Sequence, residues 1–398
     1  MQPGTAAALE ALGARSSGAS RHVVIIGGGI AGLTLAWALA RAGQRVSLFD
    51  AAPLPNPRGS SFDDGRIIRH VYGPLEGYAA MMPAAHRAWA ALFSDTGVDR
   101  LVPARALYVL REEGPWQAAA ARALAAAGLP MTILDEAALA AVPMLNREGI
   151  LRVVEVGGSG ILRAGAILDD LLALLPRLGV VLRGETRVAA IDGETGTIRL
   201  VDGTAVSADV IVVAAGTEAG QLLPDAARAT GLRASVQTLA YLAPPAARAP
   251  SWAEGPMLLC RLPGHAAGGV YILPPREGAP LKIGDYDTGT DAEPEQDHAA
   301  LRADRAAALL DAGARAIAGF GDYRILRMRH CAYTMAPGDR FVVHRAGQRA
   351  WLLSACSGHG FKLAPLIALG LAAAILGRLD DCALSTWAAG REAEVDDA

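Results

Sequence analysis

Cysteine is sparse and unpaired in this chain. Cys260, Cys331, Cys356 and Cys382 are widely spaced, with no two in a Cys-x-x-Cys arrangement. That excludes a disulfide scaffold and the usual zinc-finger spacings, and makes a reducing cytoplasm the expected location. Lysine is scarcer still, two among 37 basic residues, and no basic run is present. With 40 acidic residues and a net charge of -3, the chain offers nothing to attract nucleic acid. Long hydrophobic runs are missing as well. The longest, Leu363 to Leu376, is too short for a bilayer and contains Pro365 and Gly370, so it reads as a buried helix with no membrane partner. Residues 1–20 lack the basic and apolar regions of a secretory signal and read as a disordered leader of small and polar residues.

What is present begins with a nucleotide-binding pattern. His22 to Ile26 is a short apolar strand, followed at once by Gly27-Gly28-Gly29-Ile30-Ala31-Gly32 and an Ala/Leu-rich helix that stops at Gly43. A second strand, Arg45 to Phe49, ends in Asp50. This is the strand, glycine turn, helix, strand, acid order of a dinucleotide-binding unit. Gly27 permits the tight turn, Gly29 lets a pyrophosphate approach the helix N-terminus beside Ile30, and Gly32 allows close helix–strand packing. Asp50 is placed to accept ribose hydroxyls. The unit alone does not separate FAD from NAD.

Thr186-Arg187-Val188 suggests a second nucleotide-side element, followed by a hairpin with Asp202-Gly203 at its turn. A strongly apolar strand from Asp209 to Val213 ends in small residues through Gly216, where the backbone can pass close to a cofactor. Short strands are expected at Gly269 to Leu273 and Leu281 to Gly284, then a helix from about Gln296 to Ala318. The fold class expected is α/β: a Rossmann-type nucleotide domain from 21–95, 149–225 and 326–392, interleaved with a β-sheet-based substrate domain from 96–148 and 226–325.

The densest chemistry lies between Arg329 and Lys362. Cys331-Ala-Tyr333-Thr-Met335 is followed by Cys356-Ser-Gly358-His359-Gly360-Phe361-Lys362, a glycine-rich turn that opens a helix. A helix N-terminus carries partial positive charge, and a lysine there runs against the usual C-terminal preference. Upstream, Arg66-Ile67-Ile68-Arg69 sets two arginines three apart, which on a helix would share one face. Lys282 stands inside a short apolar strand, a costly place for an ammonium. Singly, each has an ordinary reading: a buried thiol, a surface arginine, a packed tyrosine.

Together these segments, in this order, resemble the D-amino-acid-oxidase-like flavoproteins, and within them the monomeric sarcosine oxidase and N-methyltryptophan oxidase group. The resemblance implies FAD, attached through an 8α-thioether at Cys331 by a thiolate whose pKa nearby positive charge lowers. It implies cofactor contacts from Gly27, Gly29, Ile30, Gly32, Asp50, Val188, Gly216, Gly358, Gly360, Phe361 and Lys362, with Arg66 beside the flavin ring. Arg69 and Lys362 would hold a substrate carboxylate, Lys282 would assist oxygen reduction, and Tyr271 and Tyr333 would line the pocket. His359 is available but reads better as a flavin-lining residue.

Two departures touch the substrate cavity. Gly284-Asp285-Tyr286 replaces the group's Gly-Tyr-His after the lysine, and Gly65 replaces a common threonine. The activity expected is oxidation of the C–N bond of a secondary, N-methyl or cyclic amino acid to an imine, with O2 reduced to H2O2 by a monomer. The alternatives are a flavin dehydrogenase feeding a carrier, a non-catalytic flavin-binding redox sensor and a flavin monooxygenase, against which stands the lack of a Gly-Asp-Ala-type motif before the last helix.

Overall fold

A computed structural model describes residues 2–13, 19–265, 268–286, 299–354 and 356–391. Its first sheet grows from the apolar strand His22–Ile26, which pairs in parallel with Arg45–Phe49 on one side and Val210–Val213 on the other. Val181–Arg183, Ala350–Ser354 and Val342–Arg345 complete six strands, with only the last pair antiparallel. The chain therefore leaves the central strand in one direction and returns on its other side. A crevice of this kind, at the carboxyl ends of parallel strands, is where nucleotides bind in open α/β sheets.

The second sheet has eight strands, running from Arg324–Met335 through Arg233–Ala243, Leu281–Asp285, Gly269–Leu273 and Met257–Arg261 to Ala106–Leu110, Arg152–Val156 and Met131–Ile133. Side-chain alternation gives it two distinct faces. Leu258, Cys260, Val270, Ile272, Leu281 and Ile283 form a closed apolar layer with Leu309, Ala312 and Ala316 of the helix Ala299–Ala316. The alternate positions, Leu259, Arg261, Tyr271, Lys282 and Tyr286, line a cavity on the other face. Arg152–Val156, inside a segment assigned to the nucleotide half, and Arg324–Met335, which starts two residues before another such segment and runs into it, hydrogen-bond into this second sheet.

The leader is a correction. Pro3–Gly13 forms a helix in which Gly4, Thr5, Ala8 and Ala11 are buried. Alanine has the highest helix propensity, and small side chains let this helix lie close against the helix Ala364–Ile375. The Trp387 indole N–H donates to Thr5 Oγ1 at 2.9 Å, fastening the two ends of the chain together. Residues 14–18 of that leader lie outside the described residues, as does Gln296 at the start of the helix expected up to Ala318.

The two arginines are a second correction. Arg66–Ile68 is a strand, paired antiparallel with Gly160–Leu162, and Arg69 lies just past its end. Consecutive β-branched isoleucines favour that pleated conformation over a helix. The run Leu363 to Leu376 is a buried helix over Ala364–Ile375, and no helix among the described residues is long and apolar enough to cross a membrane.

Candidate active site

Two cavities meet between the sheets. The larger, about 1650 Å³, is lined by Gly27, Gly29, Ile30, Asp50, Val188, Gly216, Arg66, Cys331, Gly358, Gly360 and Phe361. The smaller, about 310 Å³, is lined by Arg69, Tyr271, Lys282, His359 and Lys362. Arg66, Tyr333, Gly358 and Phe361 belong to both linings. Of the cofactor and catalytic residues expected from sequence, all but Gly32 fall on one cavity or both, whereas Gly65 and Gly284 line neither.

Gly32 supports the large cavity from behind. A Cβ on it would stand 1.9 Å from the Gly27 carbonyl oxygen, so helix Ile30–Arg41 could not approach the strand. The bare turn leaves the helix N-terminus open to an anion. Asp50 takes the Gly28 N–H on Oδ2 at 2.6 Å and the Ala52 N–H on Oδ1 at 2.8 Å. Each carboxylate oxygen keeps a second lone pair for a ligand hydroxyl. At the other end, a Cβ on Gly360 would meet the Cys356 Cβ at 2.3 Å, which explains why the turn before Lys362 tolerates no side chain there. A cavity this large exceeds the roughly 300–1,000 Å³ of an ordinary ligand pocket. Its lining of bare glycine backbone, acid and buried cation fits an extended dinucleotide such as FAD.

Cys331 lies on the strand Arg324–Met335, buried and facing the large cavity. The expected lowering of its pKa is not what the surroundings produce. Burial pushes the thiol up, and the charges of Arg66 and Arg329 pull it down only in part.

Sequence reading missed Asp63, whose side chain is wholly buried. It accepts from Lys282 Nζ at 2.5 Å and from the Tyr241 hydroxyl at 2.6 Å, and pairs with Arg66 at 3.1 Å. Burial alone would raise this carboxyl; Arg66 and Lys282 instead hold it well below the usual carboxylate range. Lys282 also donates to the Gly65 carbonyl at 3.0 Å. Burial lowers its pKa to about 8, against the opposing pull of Asp63. The only signal in the sequence was Asp63-Asp64 beside Gly65, with nothing local to indicate a partner in a distant strand.

Lys362 sits in a single tight turn, Phe361–Leu363, immediately before the helix Ala364–Ile375. It is 6% exposed, donates to the His359 carbonyl at 3.2 Å and faces the Tyr72 ring. Burial and then the Arg69 charge depress its pKa well below the ordinary lysine value. Arg69 donates to the Val71 carbonyl and lies over the Tyr72 ring. Among the described residues neither cation has a carboxylate within ion-pair distance. The only two lysines of the chain, Lys282 and Lys362, thus line the same small cavity.

His359 is held neutral. Its Nε2–H donates to the Asp339 carbonyl at 2.9 Å, and burial, then Lys362, lower its pKa to about 3. Tyr271 lies beside Lys282, its ring 5.8 Å from Nζ, and the Tyr333 hydroxyl accepts from Arg66 at 3.3 Å.

A family profile described as FAD dependent oxidoreductase (DAO) matches residues 22–374. An N-methyl-L-tryptophan oxidase of Yersinia pestis is 25% identical over 373 residues, covering 89% of this chain and 94% of the relative. Among solved structures, the modified fructosyl peptide oxidase of Aspergillus nidulans superposes with a TM-score of 0.74 at 21% identity, covering 94% of each chain. The L-proline dehydrogenase of P. horikoshii gives 0.72 at 18% identity, covering 88% of this chain and 91% of that one.

Proposed function

The chain belongs to the DAO family of FAD-dependent oxidoreductases, and from that premise we propose that it oxidises the C–N bond of a secondary, N-methyl or cyclic amino acid. The products are an imine, which water hydrolyses, and H2O2 from O2. The observation that carries this reading is the pairing of half-buried Arg69 with buried Lys362, two cations facing one small cavity without an acidic partner among the described residues. Buried charge of one sign is costly, and a substrate carboxylate relieves it. The Arg69 fork suits a carboxylate in its plane, and Lys362 adds a point charge.

The cavity volume of about 310 Å³ suits an amino acid better than a peptide or nucleotide. The N-methyl-L-tryptophan oxidase relative supports an N-methyl substrate. Gly27, Gly29, Ile30, Asp50, Val188 and Gly216 would hold the nucleotide part of FAD. Arg66, Gly358, Gly360 and Phe361 would border its ring, with Cys331 as the attachment point. The chemistry supplied by bound FAD is two-electron acceptance from the C–H bond next to nitrogen. The protein contributes position: Arg69 and Lys362 fix the carboxylate, so that this C–H bond is presented toward the shared wall of Arg66 and Tyr333. Lys282 holds a positive charge and a transferable proton at that wall, kept in place by Asp63 and Gly65. His359, neutral with its Nε2–H already committed, serves as a wall and not as a base.

Anaerobic mixing with N-methyl, cyclic and primary amino acids tests the reading. Bleaching of the flavin by N-methyl or cyclic members is expected; a panel in which no amino acid bleaches it would sink the proposal.

A further inference from the structure

The small cavity has a further wall besides Arg69 and Lys362. Tyr108, Trp116, Arg261 and Tyr286 line it without touching the large one. Strand register locates this extension. Lys282 stands opposite Leu273, whereas Arg261 stands opposite Gly269 on the other side of the same strand. Arg261 is therefore displaced from Lys282 by two strands across the sheet and four residues along it, about 10 Å and about 13 Å. Alternation puts Arg261 on the cavity-facing side with Leu259 and Tyr271, while Cys260 and Leu258 face the apolar layer.

The Arg261 guanidinium lies over the Trp116 ring at 5.5 Å and beside Gly268. The indole holds it in position without cancelling its charge. No carboxylate stands within ion-pair distance of it among the described residues. The described acids that line or adjoin this cavity are already engaged: Asp63 serves Lys282 and Arg66, Asp285 is paired by Arg305, and half-buried Asp339 faces Arg233. One substrate carboxylate answers Arg69 and Lys362, which leaves Arg261, on the same cavity, without a carboxylate among the described residues.

We propose that Arg261 forms a second anion subsite, so that the favoured substrate is an N-alkyl or cyclic amino acid whose side chain ends in a carboxylate. This rests on the assignment of Arg69 and Lys362 to the first carboxylate. Trp116, Tyr108 and Tyr286 enclose the intervening side chain, and the stacked arginine reads its terminal charge.

Calorimetry on the holoenzyme separates the two subsites with two unreactive probes, glutarate and its monoamide 4-carbamoylbutanoate. They differ only in the charge at one end. The wild type is expected to bind glutarate about tenfold tighter or more, the worth of one charge-assisted hydrogen bond. Arg261→Gln should erase that preference, and Arg261→Lys should restore part of it, which a merely damaged pocket would not. Arg69→Gln should weaken both ligands. Equal affinities in the wild type, or a preference that survives Arg261→Gln, overturn the second subsite and leave the first standing. Unchanged binding of both probes in Arg69→Gln overturns the first assignment and this inference with it.

Discussion

Lys282 and Asp63 form an ion pair of 2.5 Å in which both side chains are closed to solvent. Removing one partner of such a pair leaves an uncompensated charge. In Asp63→Asn the opposing pull on Lys282 is gone while burial remains, so its pKa should fall below the wild-type value of about 8. With only two lysines in the chain, selective 15N-lysine labelling resolves this titration directly. An unchanged or higher pKa in the variant would show that Asp63 does not set the charge of Lys282.

Oxygen reduction should depend on the same charge. Lys282→Met is expected to slow reoxidation of reduced enzyme by about tenfold or more while flavin reduction by substrate changes little. In the wild type, reoxidation should decline as pH rises through about 8, where Lys282 loses its proton. Stopped-flow mixing with aerated buffer measures both. Equal effects on the two half-reactions would remove the role, and sluggish wild-type reoxidation would favour a dehydrogenase.

Lys362 should cost stability where it contributes binding. Its folded-state pKa is depressed, so below the ordinary lysine value the unfolded chain binds a proton that the folded chain resists. Lys362→Met should therefore melt higher than the wild type without ligand, and the gap should narrow as pH rises toward about 10.4. The same variant should lose about tenfold or more in carboxylate affinity. Thermal unfolding across pH, with and without a carboxylate ligand, checks both; a less stable variant with intact affinity contradicts them.

Attachment of flavin at Cys331 requires the thiolate, which burial disfavours. Apoprotein mixed with FAD should gain covalent flavin faster at higher pH. The protein-bound colour should survive acid precipitation, with a flavin-sized mass increment, and Cys331→Ser should abolish both. A variant that keeps the increment would place the bond elsewhere.

Much of this site was legible because its parts are local. The glycine turn needs its own strand and helix within a few tens of residues, and the Cys331 and Gly358–Lys362 segments carry their types in short runs. Asp63 was not legible, since its partners are Arg66, Tyr241 and Lys282 and only the fold joins them. Arg261 was hidden for the same reason: its meaning depends on which face of the strand Met257–Arg261 looks at the cavity. The leader helix was missed because alanine-rich residues packed on alanine leave no polar stripe to mark an outer face. The strand at Arg66–Ile68 had a usable signal in its paired isoleucines, whose β preference outweighs the helical spacing of the arginines.

The confinement of both lysines to one cavity has a practical reach beyond catalysis. With Lys282 at 2% and Lys362 at 6% exposure, the described surface presents arginine guanidinium but no lysine ammonium. Acylation, reductive methylation and isopeptide tagging of lysine find no target there. Any lysine adduct that does form is a report from inside the pocket, and its suppression by a ligand becomes a direct gauge of occupancy.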